Sequence, residues 1–338
     1  MKYCNKTQMD KMSAIEYIKI GAANAHGQDK LTWQGRLDWF DAHRKDFLKD
    51  SFILEADEKY QFLKALHAYE DSMKGIPTGY AVGLDATASG VGIYACLSGC
   101  KASATAVNLG GDNVRKDMYT DMGKELDMYD IARQDLKDAI MQYFYSSTRT
   151  PKRVFGEHVQ AFYDLMENML PGAYDVTETL KGCQGYIEDS YEFKAPCNSN
   201  IVIRQQVIER QKIELKSEYP DMDTWYVTHE RRVWGRKPKD KSIPANVAHA
   251  ADGWVVRQVI KACNAQGFPA YHCHDKWFCS PVHMNKLRYT HKLVMAELSK
   301  MDWLSQVVRD ITGLEDYSYK KISTNLHETI MKANYNIC

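Results

Sequence analysis

The sequence predicts an α+β fold in which helices dominate and strands are few. Three stretches carry that expectation. Tyr80-Ala81-Val82-Gly83-Leu84-Asp85 is an apolar run that ends in one acid and is followed by the small residues Ala86 to Gly90. That is how a buried strand looks when it delivers a carboxylate to its exposed end and then turns tightly. A second apolar stretch, Phe268 to Phe278, carries another isolated acid, Asp275. Between the two, Ile131 to Ser147 has neither Pro nor Gly and spaces its apolar residues at helical intervals.

Taken in order, residues 8–25 read as a helix with Met12, Ile15, Ile18 and Ile20 forming much of its apolar face. Thr32 is placed to cap a helix over 33–48. A third helix, about 56–74, stops at Gly75-Ile76-Pro77-Thr78-Gly79. After the strand to Asp85, residues 89–99 return as a helix packed beneath it. Cys96 and Cys100 lie there at Cys-x3-Cys spacing, but no second Cys/His pair at ligand spacing stands close by, so they read as core thiols. Gly110-Gly111-Asp112 marks a turn and a boundary, with helices at about 113–128, 131–147 and 151–169 beyond it. The last begins at Pro151 and ends at Pro171-Gly172. Residues 173–221 are ambiguous: Ile201–Lys216 fits a helix, Cys183–Asn200 a loop. Asp223 to Trp234 reads as a strand or hairpin, 245–266 as a helix, 268–280 as a strand pair carrying Asp275, and 282–300 as a helix. The remainder to Cys338 is mixed and assigns no role.

Composition bounds the setting. A chain of 338 residues can bury a substantial core and hold two subdomains. With 44 basic and 44 acidic residues its formal charge is zero, where a freestanding nucleic-acid binder is usually more basic. Arg231, Arg232, Arg236, Lys237, Lys239 and Lys241 form one basic cluster, readable equally as a groove or as a solvated loop. Nine scattered cysteines read as reduced intracellular thiols. No signal peptide and no apolar run of spanning length are seen, so the expected setting is the cytoplasm, with no membrane contact.

Chemistry enters through the acids and the helix between them. Each acid alone reads as a cap or turn residue. Two aspartates on separate strand ends can jointly hold two divalent metals for in-line phosphoryl displacement, and magnesium suits such carboxylates with substrate phosphates. Arg133, Lys137, Met141 and Tyr145 recur every fourth residue and form one slowly drifting ridge. Such a ridge can hold a triphosphate at its cationic end and stack a base or sugar at the other. It reads equally as the solvated face of an amphipathic helix.

These residues carry a resemblance. Asp85-x3-Ser89-Gly90, then Arg133-x3-Lys137-x3-Met141-x3-Tyr145, then His274-Asp275 resemble, in order and in internal spacing, motifs A, B and C of single-subunit, phage-type RNA polymerases. Ala106-Val107-Asn108-Leu109 follows as in that family, and His249-x-x-Asp252-Gly253 after Ile243-Pro244-Ala245-Asn246 resembles its His-x-x-Asp-Gly helix. Gly27-Gln28-Asp29-Lys30-Leu31 with Arg36-Leu37-Asp38 resembles the segment that opens its palm. The likeness runs thinly from about residue 20 to 280 and is specific at four places.

The resemblance implies a right-hand palm with a small antiparallel sheet and helical fingers, without thumb or N-terminal domain. Residues 1–112 would be the first part of the palm, 113–240 the fingers and 241–338 the second part of the palm. It implies a DNA-directed RNA polymerase in which an RNA 3′-hydroxyl attacks the α-phosphate of a nucleotide. Asp85 and Asp275 would bridge two Mg2+ ions, and Arg133 and Lys137 would clamp the triphosphate, with Lys30 near it. Met141 and Tyr145 would pack near the bases, Tyr145 would help select ribose, and His249 would contact the 2′-hydroxyl; His249 reads as readily as an ordinary helix-surface histidine. His274 would orient or flank the Asp275 site, since magnesium prefers oxygen. Related DNA polymerases place a glutamate five residues after the motif A aspartate, where this chain has Gly90, leaving room for the 2′-hydroxyl.

The chain departs from the family at three places. The family's Tyr-Gly after the motif B helix is Tyr145-Ser146, which suggests a helix end built differently. Its Ser-Gly-x-Gln is Ser89-Gly90-Val91-Gly92, which removes a polar contact. In the family, several hundred residues precede the segment matching Gly27–Arg36. The implied arrangement is a split enzyme like those of some podophages, acting in the host cytoplasm. A second subunit would supply the N-terminal and thumb half, and the partners would be template DNA, RNA product, NTPs and a candidate recruitment factor. The alternatives are another palm-type polymerase or primase, a catalytically silent scaffold, and a zinc or thiol enzyme using His272, Cys273, His274 and Cys279.

Overall fold

Ser13 opens the first described helix, α1 (Ala14–Ala25), through a capping box with Glu16. The computed structural model describes residues 9–111, 114–126, 129, 131–187, 190–204, 206–215, 225–234 and 242–338. Met12, Ile18 and Ile20 are buried as expected, but Ile15 points outward. Thr32 caps α2 (Trp33–His43) by accepting from the Gly35 amide, and the helix is shorter than expected. A short helix α3 (Asp50–Glu55) precedes α4 (Lys59–Met73). These helices enclose a small aromatic core of Phe40, Phe47, Phe62 and Tyr69.

The main core is organised on β1 (Val82–Asp85) and α5 (Ser89–Ser98). Val82 and Leu84 are buried while Asp85 reaches the open end. Every residue of α5 from Val91 to Ser98 is buried, which is why its sequence is apolar on all sides. Cys96 and Cys100 are buried thiols there, as expected. The chain continues through α6 (Lys101–Ala106), α7 (Met118–Glu125) and α8 (Arg133–Phe144). The expected helix over 151–169 is broken: Gly156 takes φ 53° and separates α9 (Arg149–Phe155) from α10 (Val159–Met169). Pro171 then starts α11 (Pro171–Gly182).

The ambiguous stretch resolves as strands. β2 (Ser190–Lys194) lies where a loop was expected. β3 (Asn200–Arg204) and β4 (Gln206–Leu215) replace the expected helix, and β5 (Trp225–Trp234) is the expected strand. β2 pairs with β3 and β4 with β5, each as a separate two-stranded antiparallel sheet. Val202, Ile203 and Ile213 are β-branched and favour extended backbone, which the β2–β3 and β4–β5 pairings accommodate. The region 113–240 is therefore not wholly helical. Of the basic cluster, residues 236–241 lie outside the described residues.

α12 (Ser242–Ala265) leads to β6 (Tyr271–Cys273) and β7 (Lys276–Cys279), then α13 (Met284–Lys300), α14 (Trp303–Thr312) and α15 (Leu326–Lys332). β1, β7 and β6 form a three-stranded antiparallel sheet in the order β1-β7-β6. α5 packs against α11, α12 and α13 behind it. The molecule is thus a mostly helical α+β protein with small antiparallel sheets, and among the described residues no helix is long and apolar enough to cross a membrane. The stretch after residue 300 is far from uninformative. Tyr335 and Ile337 are buried in the core, and Cys338 exchanges backbone hydrogen bonds with Asp85 at 3.2 and 2.8 Å.

Candidate active site

The acids meet because of sheet register. Asp85 stands opposite Lys276 across β1 and β7, one residue from Asp275, and the Ala86 amide donates to the Asp275 carbonyl at 3.3 Å. Asp275 sits in the two-residue turn between Cys273 and Lys276, with His274 at φ 55°. Positive φ in such a turn matches the twist of its strands. On the other side Ala88 takes φ 49° just before α5, so the chain leaves Asp85 through a left-handed residue without being glycine. Both carboxylates face one cleft of about 310 Å³. Its walls and the charge of Asp275 push the Asp85 carboxyl up to about 6, against smaller opposing effects of Lys276 and the Ala86 amide. Lys276 is itself committed to Glu58 at 3.0 Å.

α8 leans over the same cleft. Leu136, Ala139, Ile140, Tyr143 and Phe144 are buried on its inner face, which turns Arg133, Lys137 and Met141 toward the acids. Lys30, ion-paired to Asp29, lines the cleft as well. Tyr145 caps α8 and packs against His249 with ring centroids 5.5 Å apart. Burial, then the negative charges of Asp252 and Asp275, push its hydroxyl up, so Tyr145 stands within electrostatic reach of both acids. A side chain built at Gly90 would meet nothing within 4 Å, so the space beside it is open.

Ser146 corrects an expectation. It takes φ 63°, the left-handed region that favours glycine. The helix end is therefore built with glycine's geometry, carried by a serine whose buried hydroxyl has no partner.

Several cleft residues escaped the sequence reading. Arg115, Lys116, Asp117 and Tyr119 line it, from the segment entering α7. The run Arg-Lys-Asp gave no periodic signal that would have found them. Asp252, one helical turn after His249, is a third acid in the electrostatic reach of Asp275. Burial first, and then Asp275, push its carboxyl up, while His249, His272 and His274 oppose the shift. The sequence places Asp252 in the His-x-x-Asp-Gly motif and assigns it no role of its own. Among the described residues no group of three His, Cys, Asp or Glu side chains converges to hold a metal. Magnesium asks for less, since it is commonly held by one or two carboxylates with substrate phosphates and water. Five basic and four acidic side chains line the cleft. Cations bound at the acids would leave the bases for an anion.

Comparison with known proteins bears on the first half of this site. A family model for DNA-dependent RNA polymerase matches residues 9–142, a span that contains Asp85, Arg133, Lys137 and Met141. That segment is a DNA-dependent RNA polymerase family domain, and the family is one of nucleotidyltransferases. Tyr145, His249 and Asp275 lie beyond the match. No curated protein matches the chain.

Proposed function

We propose that the chain is the catalytic palm-and-fingers subunit of a DNA-directed RNA polymerase of the phage type, completed by a separate polypeptide that carries the thumb and N-terminal half. One observation carries the reading. Two aspartates far apart in sequence, one inside the polymerase-matched segment and one outside it, open into one cleft under a helix bearing Arg133 and Lys137. In this reading residues 1–112 and 241–338 build the palm and 113–240 the fingers.

Asp85 and Asp275 are the residues that would hold magnesium. The fit rests on their oxygen-only chemistry and on the burial and neighbouring Asp275 charge that push the Asp85 carboxyl up to about 6, the second of which a cation would relieve. The chemistry magnesium would supply there is a lower pKa for the attacking hydroxyl and neutralisation of charge on the leaving oxygens. The chain's own residues do the rest. Arg133 and Lys137 grip the triphosphate, Arg through a planar fork and Lys as a point charge. Lys30 borders the phosphates. Met141 lies one helical turn further and Tyr145 another, which suits the base and sugar. Tyr145 and His249 pack together, so the group that reads ribose and the group that contacts its 2′-hydroxyl act as one surface. The open space beside Gly90 admits that hydroxyl. Template DNA, RNA product and NTPs are the ligands, and the second subunit supplies the remaining grip on nucleic acid, as the neutral charge of this chain suits.

The test is template-directed synthesis by the complex purified with its partner. Asp85→Asn and Asp275→Asn should each reduce ribonucleotide incorporation at least a hundredfold, about 3 kcal/mol in the barrier. Unchanged synthesis by Asp275→Asn would leave only a silent scaffold. Preference for deoxynucleotides would move the assignment to a different palm polymerase.

A further inference from the structure

Arg133 is not a free cation. Its Nη2 straddles both carboxylate oxygens of Asp117, at 2.9 and 2.8 Å, and its Nε donates to Thr120 Oγ1 at 3.3 Å. The carboxylate has a seat of its own. Asp117 is the N-cap of α7 and accepts from the Thr120 amide at 3.4 Å and from Thr120 Oγ1 at 2.9 Å. Asp117 therefore stays in place whether or not Arg133 is on it. Lys137, one turn further along α8, forms no ion pair among the described residues. All three side chains line the cleft that holds Asp85 and Asp275.

With Nη2 on Asp117 and Nε on Thr120, Arg133 has only Nη1 wholly uncommitted, so it cannot offer a phosphate its full two-nitrogen fork while it holds the carboxylate. The two cations of the α8 ridge are therefore unequal. Lys137 is available to an arriving anion at once, whereas Arg133 must leave Asp117 before it can grip a phosphate with its full fork. We propose that Asp117 is a positioning residue that holds Arg133 at the cleft and competes with the nucleotide triphosphate for it, so that nucleotide entry exchanges Arg133 from carboxylate to phosphate. The inference rests on the polymerase reading given above. It adds a residue that sets nucleotide affinity without touching the reacting atoms. The exchange favours ligands with several anionic oxygens, since a weak monoanion gains too little to displace a fixed carboxylate.

The experiment compares wild type, Asp117→Asn, Arg133→Ala and the double variant, each as the full chain with its partner. Binding of ATP with magnesium is read by calorimetry, and incorporation by steady-state kinetics. Asp117→Asn keeps an acceptor for the Thr120 amide but removes the charge. It should lower both Kd and KM for ATP about threefold to fivefold, the size expected for releasing a partly exposed ion pair. kcat should move less than KM, and the effect should vanish in the Arg133→Ala background. Should Asp117→Asn fail to fold, Asp117→Ser, which retains a capping oxygen, is read in the same way. An unchanged or raised KM in the Asp117 variant, or a shift that survives without Arg133, overturns the exchange. Its failure is separable from failure of the polymerase reading. If Arg133→Ala weakens ATP binding but Asp117→Asn does not strengthen it, the exchange alone is wrong. If wild type and Arg133→Ala bind ATP alike, both fall.

Discussion

At the scale of single residues, charge and backbone angle explain most of the site. Asp85 holds its proton to about pH 6, against an ordinary 3.8, because the cleft walls and Asp275 disfavour the ionised form. Between those two values the unfolded chain binds fewer protons than the folded one at this group. Its contribution to stability is therefore largest below the unfolded value and is lost as pH rises through about 6. In the presence of a chelator, thermal melts of Asp85→Asn should fall less between about pH 4 and about pH 7 than those of wild type. Magnesium should bind more weakly at about pH 5 than at about pH 7, since it must displace that proton. Ser146 offers a second measurement. A left-handed angle costs a non-glycine residue about 1 kcal/mol or more, and its hydroxyl is buried without a partner. Ser146→Gly should raise stability by about 1 kcal/mol in denaturant titration, net of the added freedom of the unfolded chain.

At the scale of elements, the molecule separates what builds the core from what stands outside it. α8 is amphipathic, and helical periodicity is enough to put Arg133, Lys137 and Met141 on one face, the one turned to the cleft. The ribbon of β4 and β5 is the opposite case. Its register pairs Leu215 with Trp225 and Ile213 with Val227, yet these side chains are exposed, Trp225 to 67%. Replacing Leu215 with Thr and Trp225 with Ser should change global stability by no more than about 0.5 kcal/mol. A loss of several kcal/mol in chemical denaturation would mean that the ribbon packs on the core in solution.

At the scale of the whole molecule, residues distant in sequence are tied together behind the site. Arg288 is fully buried and donates to the Asp10 carbonyl and the Tyr17 hydroxyl, both at 2.9 Å, and to the carbonyl and side chain of Asn334. It also stacks on Trp33 at 4.6 Å. Lys292, buried on the same helix, donates to the carbonyls of Met331 and Ala333 at 3.2 and 2.9 Å. These bonds seat the segment whose last residue, Cys338, pairs with Asp85. Arg288→Met keeps much of the volume but strands several buried acceptors, so it should cost about 3 kcal/mol or more. It should also loosen the strand that presents Asp85, seen as faster amide exchange at Asp85 and Cys338.

Local pattern settled what depends on near neighbours. The strand ending at Asp85, the hairpin carrying Asp275, the α8 ridge and the cap at Thr32 follow from alternation, spacing and capping within a few residues of each. Folding decided what depends on partners far away. β3 and β4 became strands because partner strands were available, and local propensity could not report that. Asp117 and Arg115 entered the cleft because α7 packs on α8. Asp252 came into the reach of Asp275 because α12 packs on α5, the helix that follows β1. Asp85 and Asp275 were each visible as isolated acids at strand ends. Only antiparallel pairing of β1 with β7 put them at the same end of one sheet, since register is fixed by which apolar faces must be buried together.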